Sequence, residues 1–395
     1  MATADVVIIG AGISGLSTAF HLARAGVRRV VVVERRHVAA EATGKSGALV
    51  RAGYDDETET RLALEGLKQF TSWRELVGGD CGLRQVGLLI LTPPERRDLQ
   101  EASLTKQREL GVDARTVSAD EAREIDPSLW CADGSHITYE PDAGYADPNA
   151  ASHSLAKAAT DLGVELRLET TVTRVLTTGD KVTGVETTGG TIGSPVVLVA
   201  AGAWANKLFE PLGINLDMSP ILARVALFRW TAERSPKHAT CIDRFGEGSW
   251  FRPVEGNHTL VGAESGLGRV GADPDNYSET PSQDYVDRCR GALVRRFRVM
   301  KHSTMRGAWA GVLMRSRDSR PIIDRLAHYD GLFCMAADSG TSFKTGPAIG
   351  RCLAEWITEG EAKTVDLTSL RSTRFDGHGP GGAPGQEASG ATVSR

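Results

Sequence analysis

The sequence of 395 residues lacks any apolar run long enough to cross a membrane. Its longest apolar stretch, residues 196–204, is far shorter than the roughly 20 residues that a transmembrane helix needs. Basic clusters are also absent beyond a few residues, and the formal net charge is −4. We therefore predict neither a membrane nor a nucleic-acid partner.

Cysteine is scarce as well. The six cysteines are scattered without a Cys-x-x-Cys pair, which is typical of reduced cysteines in a cytoplasmic protein. The nine histidines show no metal-ligand spacing, so no metal is predicted. The apolar fraction of 41% and the charged fraction of 24% are ordinary for a globular enzyme, and the length suits two domains. Because the first strand begins almost at once, we expect no signal peptide and a cytoplasmic location.

The first 36 residues carry the strongest motif. The apolar run Val6 to Ile9 predicts a buried strand, Ser14 to Ala25 a helix, and Val30 to Val33 a second parallel strand that ends at an acidic residue. Glycines between the first strand and the helix permit a tight turn, a close approach of backbone to a pyrophosphate, and close helix–strand packing. This unit predicts a dinucleotide site formed by Gly10, Ala11, Gly12, Ile13, Ser14, Gly15, Glu34 and Arg35.

Two similar patterns are weaker. A second Gly-x-Gly-x-x-Gly at 266–271 is followed by Pro274, which would break the helix that phosphates need, so we interpret it as a loop. The Gly-Lys-Ser at 44–46 lacks the earlier glycine of a phosphate loop, since Ala39 stands there. Glu34 disfavours a 2′-phosphate, although Arg35 and its neighbour Arg36 leave NADP possible.

Several separated segments between about residue 5 and about residue 375 resemble the D-amino-acid-oxidase-like family of FAD-dependent amine oxidoreductases. They are residues 42–51, 170–175, 201–204 and 337–350. The resemblance implies an α/β fold in which a Rossmann-type FAD-binding domain is joined to a second domain built on an antiparallel sheet. It also implies FAD as cofactor. The family's covalent flavin cysteine is replaced here by the segment 313–315, so we expect FAD to be non-covalent.

Further flavin contacts follow from the same resemblance. They are Thr43, Lys45, Ser46, Gly47, Val172, Ala201, Gly202, Trp204, Gly340, Thr341, Ser342, Phe343 and Lys344.

The resemblance also implies a catalytic set made of Arg51, Tyr54 and Lys344. Arg51 and Lys344 match an arginine and a lysine that together hold a substrate carboxylate, and Tyr54 follows Arg51 by three residues. Without the resemblance, Arg51 could be a surface arginine in a turn and Lys344 a solvated loop lysine. From the residues themselves, Trp250 is a candidate wall of the substrate pocket, with core packing as the alternative.

The order of features predicts a chain that alternates between two domains. The segments 1–80, 141–215 and 316–372 are assigned to the FAD-binding domain, 81–140 and 216–315 to the substrate domain, and 373–395 to a disordered tail. Single helices are predicted over 60–76 and 347–358, and a strand over 82–91.

The predicted function is oxidation of the C–N bond of a small amino acid or secondary amine, by hydride transfer to flavin followed by hydrolysis of the imine. Oxygen or another acceptor would take the electrons. Leu260 stands near the place of the family's oxygen-activating lysine, so a dehydrogenase remains open. The alternatives are an NAD(P)-dependent dehydrogenase and a non-catalytic flavoprotein subunit.

Overall fold

A computed structural model describes residues 2–132, 134–231, 237–263, 268–269 and 273–376. In these residues the strands are, in chain order, β1 (Ala2–Thr3), β2 (Val6–Ile9), β3 (Val30–Val33), β4 (Leu49–Val50), β5 (Leu88–Thr92), β6 (Arg115–Val117), β7 (His136–Glu140), β8 (Gly144–Tyr145), β9 (Glu165–Arg167), β10 (Val172–Thr178), β11 (Lys181–Thr187), β12 (Gly190–Gly193), β13 (Val197–Val199), β14 (Met218–Arg229), β15 (Thr240–Asp243), β16 (Ser249–Val254), β17 (His258–Gly262), β18 (Gly268–Arg269), β19 (Thr304–Ser316), β20 (Ile322–Arg325) and β21 (Leu332–Ala336). The α-helices are α1 (Ile13–Arg24), α2 (Glu57–Thr71), α3 (Trp73–Leu76), α4 (Arg97–Glu109), α5 (Ala119–Ile125), α6 (Pro148–Asp161), α7 (Ala205–Phe209), α8 (Gln283–Arg296) and α9 (Ser342–Glu359).

The first layer is a six-stranded sheet in the order β20-β21-β13-β2-β3-β9. Its strands run parallel except for β20, which is antiparallel to β21. Both β2 and β3 consist of four buried apolar residues, because both faces of a parallel sheet are covered. Ile8 packs into the core under α1, α6 and α9, whereas Val7 packs into the opposite core formed with β10 to β12 and α7. The N-terminal βαβ unit predicted from the sequence is therefore present.

Helices α1 and α9 pack unusually close. An added Cβ at Gly346 would lie 2.7 Å from Ile13 Cγ2, and one at Gly350 would lie 2.4 Å from Ser17 Cβ. The Ser17 hydroxyl donates to the Pro347 carbonyl at 2.9 Å. The predicted helix 347–358 is thus wrong at its start, since α9 begins five residues earlier and has Pro347 inside it. Pro347 indicated a helix start, but packing against α1 outweighs that local preference.

The second layer is a nine-stranded sheet with the order β18-β14-β17-β16-β15-β5-β7-β6, and β19 also pairs with β14. Neighbouring strands are antiparallel except β15 and β5, which are parallel. Helix α8 covers this sheet with the buried side chains of Tyr285, Cys289 and Leu293. The strands lie in the two segments assigned to the substrate domain, except that β19 extends one residue further, to Ser316.

Three local predictions differ from the structure. The helix predicted over 60–76 is two helices, α2 and α3, because the Ser72 hydroxyl donates to the Lys68 carbonyl at 2.7 Å where α2 ends. The strand predicted over 82–91 begins only at Leu88. Residues 372–375 form a 3₁₀ turn, held by an Arg374–Asp318 ion pair at 2.8 Å. Residues 377–395 of the predicted tail lie outside the described residues, as does most of the second glycine motif at 266–271.

No helix in the described parts of the chain is long and apolar enough to cross a membrane.

Candidate functional site

A cavity of about 680 Å³ lies between the two layers. One side of it is formed by the loops that leave the carboxyl ends of β2, β3, β13 and β21. The other side is formed by residues of β14 to β17 and β19. The carboxyl ends of parallel strands are where open α/β sheets bind ligands.

The glycine turn after β2 forms the floor of one end. Gly10 has a φ of 109°, and an added Cβ would lie 2.4 Å from the Ala200 carbonyl oxygen. An added Cβ at Gly15 would lie 2.2 Å from the Gly10 carbonyl oxygen, so the helix approaches the turn too closely for any side chain there. Gly12 lines the cavity, and a Cβ added to it would lie 3.1 Å from Thr43 Oγ1. That oxygen accepts from the Ile13 N–H at 3.2 Å, at the start of α1. This free backbone surface at a helix N-terminus suits a pyrophosphate.

Glu34 follows β3 at the same end. Its two carboxylate oxygens accept from the N–H groups of Ala11 and Arg36, each at 2.9 Å. Each oxygen keeps a lone pair, so the carboxylate is oriented and can still accept from a ribose hydroxyl. Ala11 contributes only through its N–H bond to Glu34, because it is fully buried and does not line the cavity.

A segment of the second layer, residues 273–279, crosses this end of the cavity, and we call it the clasp. Its Asp275 accepts from Arg35 and from the Trp204 indole, each at 2.7 Å, and from Lys207 at 2.9 Å. Arg35 also stacks on the Trp204 ring at 3.7 Å. Although burial opposes them, these hydrogen bonds hold the pKa of Asp275 well below its usual range. Arg35, which left NADP possible from sequence, already has a carboxylate partner.

Lys45 is anchored by the same clasp. Its ammonium donates to Glu41 at 2.9 Å and to Tyr277 at 2.8 Å, and it pairs with Glu279 at 3.1 Å. Burial works in the opposite direction, but these partners raise the pKa of Lys45. Lys45 lines the cavity with its charge matched by acidic side chains, unlike the lysine of a phosphate loop.

Arg51, Tyr54 and Lys344 meet at the other end. The guanidinium carbon of Arg51 lies 4.1 Å from the centroid of the Tyr54 ring, and the Lys344 ammonium lies 5.4 Å from it. Arg51 is 4% exposed and Lys344 is 6% exposed, which rules out a surface arginine and a solvated lysine. Both cations line the cavity, whereas Tyr54 lies outside its wall and supports them.

Lys344 sits in the first turn of α9, not in the loop before it. Its ammonium donates to the Thr341 carbonyl at 3.3 Å. Burial, together with the neighbouring Arg51 charge, lowers the pKa of Lys344 to about 7. A second positive charge in a buried place is stabilised when an anion enters, so the pair is suited to a carboxylate.

Trp250 on β16 forms a wall of the cavity. Its indole lies so close to Gly47 and Gly262 that an added Cβ on either would be 2.3 Å from a ring atom. The indole therefore packs between Gly47, in the loop that follows β3, and Gly262 of strand β17 in the other layer. Trp250 also packs against the small core cluster that contains Leu88 and Ile90, so it lines the cavity and contributes to core packing.

Most of the predicted site residues are brought together. Those lining the cavity are Gly10, Gly12, Ile13, Ser14, Gly15, Glu34, Arg35, Thr43, Lys45, Ser46, Gly47, Arg51, Val172, Ala201, Gly202, Trp204, Trp250, Gly340, Ser342, Phe343 and Lys344. Ala11, Tyr54 and Thr341 are buried beside it.

Sequence reasoning missed other lining residues. Asp338 is one, and burial raises its pKa to about 7. Asp338 lies two residues after β21, at the carboxyl end of a parallel strand, and this position could have indicated it from the sequence. Arg224, Tyr285 and Asp275 also line the cavity, but they come from distant segments, and no local pattern indicates them.

The residues fit an elongated dinucleotide with a ring system. A glycine cradle and an oriented carboxylate lie at one end, two buried cations lie at the other, and the same cavity joins them. None of the six cysteines is among the described lining residues. No group of His, Cys, Asp or Glu in the described ranges is arranged to hold a metal ion.

Comparison with known proteins agrees with this geometry. Residues 5–356 match the family model of DAO, described as FAD dependent oxidoreductase. The chain is 26% identical over 375 residues to the sarcosine oxidase subunit beta of Arthrobacter sp, covering 92% of this chain and 89% of that protein. It is 26% identical over 368 residues to the glycine oxidase of Pseudomonas aeruginosa, covering 91% and 96%. The crystal structure of L-proline dehydrogenase from P.horikoshii superposes with a TM-score of 0.87 at 25% identity, covering 95% of this chain and 98% of that one.

Proposed function

The chain belongs to the DAO family of FAD-dependent oxidoreductases, and from that membership we propose that it oxidises the C–N bond of a small amino acid or secondary amine. FAD is the cofactor of the family, so the NAD(P)-dependent alternative receives no support. Relatives named glycine oxidase and sarcosine oxidase subunit beta support a substrate of this size and class. One observation carries the proposal. Arg51 and Lys344 are two buried cations that lie near the Tyr54 ring, and both line the cavity that contains the dinucleotide cradle.

The cradle residues would hold the cofactor. Gly12 and the N-terminus of α1 would hold the pyrophosphate, and Glu34 would accept from a ribose hydroxyl. The first turn of α9, from Ser342, would place backbone N–H groups near the flavin ring. When bound, FAD supplies a two-electron acceptor.

Arg51 and Lys344 orient the substrate by its carboxylate. Arg51 can bind bidentately and Lys344 as a point charge, which leaves the amine and its neighbouring carbon facing the cavity. The positive charge of the pair favours the uncharged amine over the ammonium. The substrate carbon then loses a hydride while the nitrogen lone pair forms the C=N bond, and water hydrolyses the imine to a carbonyl compound and an amine. Trp250 excludes water from that part of the cavity.

The substrate class is tested by replacing Arg51 with Lys and comparing sarcosine with dimethylamine, which is sarcosine without its carboxylate. Losing a charged hydrogen bond typically costs about 1.5 to 3 kcal/mol, so we expect kcat/KM for sarcosine to fall roughly tenfold to more than a hundredfold. The rate with dimethylamine should change little. Arg61→Lys, on the exposed face of α2, is the matched control and should change neither rate.

Equal losses with both substrates would refute the carboxylate clamp. Anaerobic bleaching of the bound flavin by a panel of amino acids and amines is the companion measurement. Absence of bleaching by every compound would instead favour a non-catalytic flavoprotein subunit.

We also propose a cytoplasmic location, supported by six buried cysteines that are all unpaired. The electron acceptor is oxygen or another acceptor. Leu260, which stands near the place of the family's oxygen-activating lysine, carries no charge. It is buried in β17, outside the cavity wall.

A further inference from the structure

We propose that Glu140 is a positioning residue that aims the Arg51 guanidinium at the substrate carboxylate and fixes the Tyr54 ring on which the guanidinium lies. This inference rests on the proposed carboxylate clamp and adds the part of the second layer that orients it. Glu140 does not line the cavity. It acts through the backbone of residues 51–54.

The segment 51–54 belongs to no helix or strand, so no ladder of backbone hydrogen bonds determines its path. Glu140, at the end of β7, takes over that role. Its Oε1 accepts from the Ala52 N–H at 2.5 Å, and its Oε2 accepts from the Gly53 N–H at 3.3 Å. The side chain is buried, with 4% exposure, so water does not compete for these donors.

The same segment is held from a second side by Gln107 of α4. The Gln107 amide donates to the Tyr54 carbonyl at 3.1 Å. An added Cβ at Gly53 would lie 2.6 Å from Gln107 Oε1, so the segment packs closely against this side chain of α4. The segment is thus fixed between β7 and α4, two elements of the second layer.

Arg51 is connected directly to this fixed backbone. Its Nη1 donates to the Gly53 carbonyl, which belongs to the residue whose N–H is held by Glu140. Its guanidinium also lies over the ring of Tyr54, the residue held by Gln107. Moving Glu140 would therefore move both the acceptor and the ring that set the direction of the guanidinium.

Charge gives Glu140 a second effect. Burial raises the pKa of Glu140, but the Ala52 N–H group and the Arg51 charge act in the opposite direction. The carboxylate also favours the charged form of Lys344. Glu140 therefore both holds the backbone that positions Arg51 and supports the positive charge of Lys344.

The test is Glu140→Gln, which keeps the size of the side chain but has one acceptor oxygen for two N–H donors. The probe is acetate, a carboxylate without an amine, titrated into the flavin-loaded protein and followed by the visible flavin spectrum. We expect the acetate Kd to rise roughly tenfold or more, with flavin content unchanged. We also expect kcat/KM to fall for sarcosine but not for dimethylamine, a difference that general destabilisation would not produce.

Asp243→Asn is the matched control, because Asp243 is a buried carboxylate in the same sheet whose hydrogen bonds go to Arg296 and to the Phe245 N–H, not to segment 51–54. It should bind acetate with the wild-type Kd. Gln107→Leu, which removes the donor to Tyr54, should raise the Kd roughly threefold to tenfold, and it provides the test if Glu140→Gln does not fold.

A wild-type acetate Kd in Glu140→Gln, or in Gln107→Leu if the first variant does not fold, would overturn this inference and leave the clamp intact. No acetate binding by the wild-type protein would overturn the clamp and the inference together.

Discussion

At the scale of single residues, the property that matters most is the burial of Lys344. As a solvated lysine it would be charged at any physiological pH. Enclosed beside Arg51 in the first turn of α9, it has a pKa lowered to about 7. The same surroundings contain Glu59, Asp338 and Glu140, which all favour its charged form.

This lowered pKa predicts the pH dependence of carboxylate binding. The ammonium is present below about pH 7 and is lost as the pH rises through that value, so the acetate Kd should increase between about pH 6 and about pH 9. Asp338 ionises in the same interval and would also repel acetate. We therefore expect the pH dependence of the acetate Kd to be retained in Asp338→Asn and reduced in Lys344→Met. Acetate titrations followed by the visible flavin spectrum measure this. A pH-independent wild-type Kd would contradict the charge state assigned to Lys344.

At the scale of elements, the clasp connects the second layer to the nucleotide end of the cavity. Asp275 is contacted by Arg35, Trp204 and Lys207, all of which belong to the first layer. Tyr277 and Glu279 add contacts to Lys45. We therefore expect the clasp to restrain the exit of a bound dinucleotide.

We expect Asp275→Asn to accelerate release of FAD, because Arg35 and Lys207 lose the anion that they share. Since these side chains are partly exposed, the effect should be roughly threefold to tenfold at low salt and smaller at high salt. The rise of free-flavin fluorescence after dilution measures the release rate. Asp217→Asn, which breaks a similar exposed pair with Arg317 at 3.0 Å, is the control. Equal release rates in the two variants would show that the clasp does not retain the cofactor.

At the scale of the whole molecule, the chain passes repeatedly between the two layers, and both line one cavity. Contacts such as the Trp309 indole to the Lys45 carbonyl, at 3.0 Å, join them. Neither layer is a separate piece of chain, so we expect them to unfold together.

Arg296→Leu tests this cooperativity. Arg296 makes two hydrogen bonds of 2.7 Å to Asp243 in the second layer, and both side chains are buried. Leaving Asp243 without this partner should cost about 3 to 5 kcal/mol of unfolding free energy. In urea, loss of circular dichroism and loss of flavin should shift to lower concentration together. Arg325→Leu, which removes an exposed pair, should cost at most about 1 kcal/mol. Two separate transitions would contradict a single cooperative unit.

The sequence was sufficient for the fold class, the family and FAD, and these predictions are confirmed. The dinucleotide cradle is local, because a buried strand, three spaced glycines and a helix lie within residues 6–24 and each has a steric or hydrogen-bonding requirement. FAD and the family followed from the resemblance of several further segments, each of which is also short and continuous in the sequence. The sequence also predicted residues from distant segments that the structure brings to one cavity, among them Arg51, Trp250 and Lys344.

Only the tertiary structure decided where α9 begins, how deeply Lys344 is buried, and that Glu140 and Asp275 act on the site. Pro347 signals a helix start locally, but the close contact of Gly346 and Gly350 with α1 stabilises an earlier one. The 87 positions that separate Gly53 from Glu140 carry no periodic signal linking the two. Burial and charge pairing depend on which elements meet in space, and that information is distributed over the whole chain instead of over one motif.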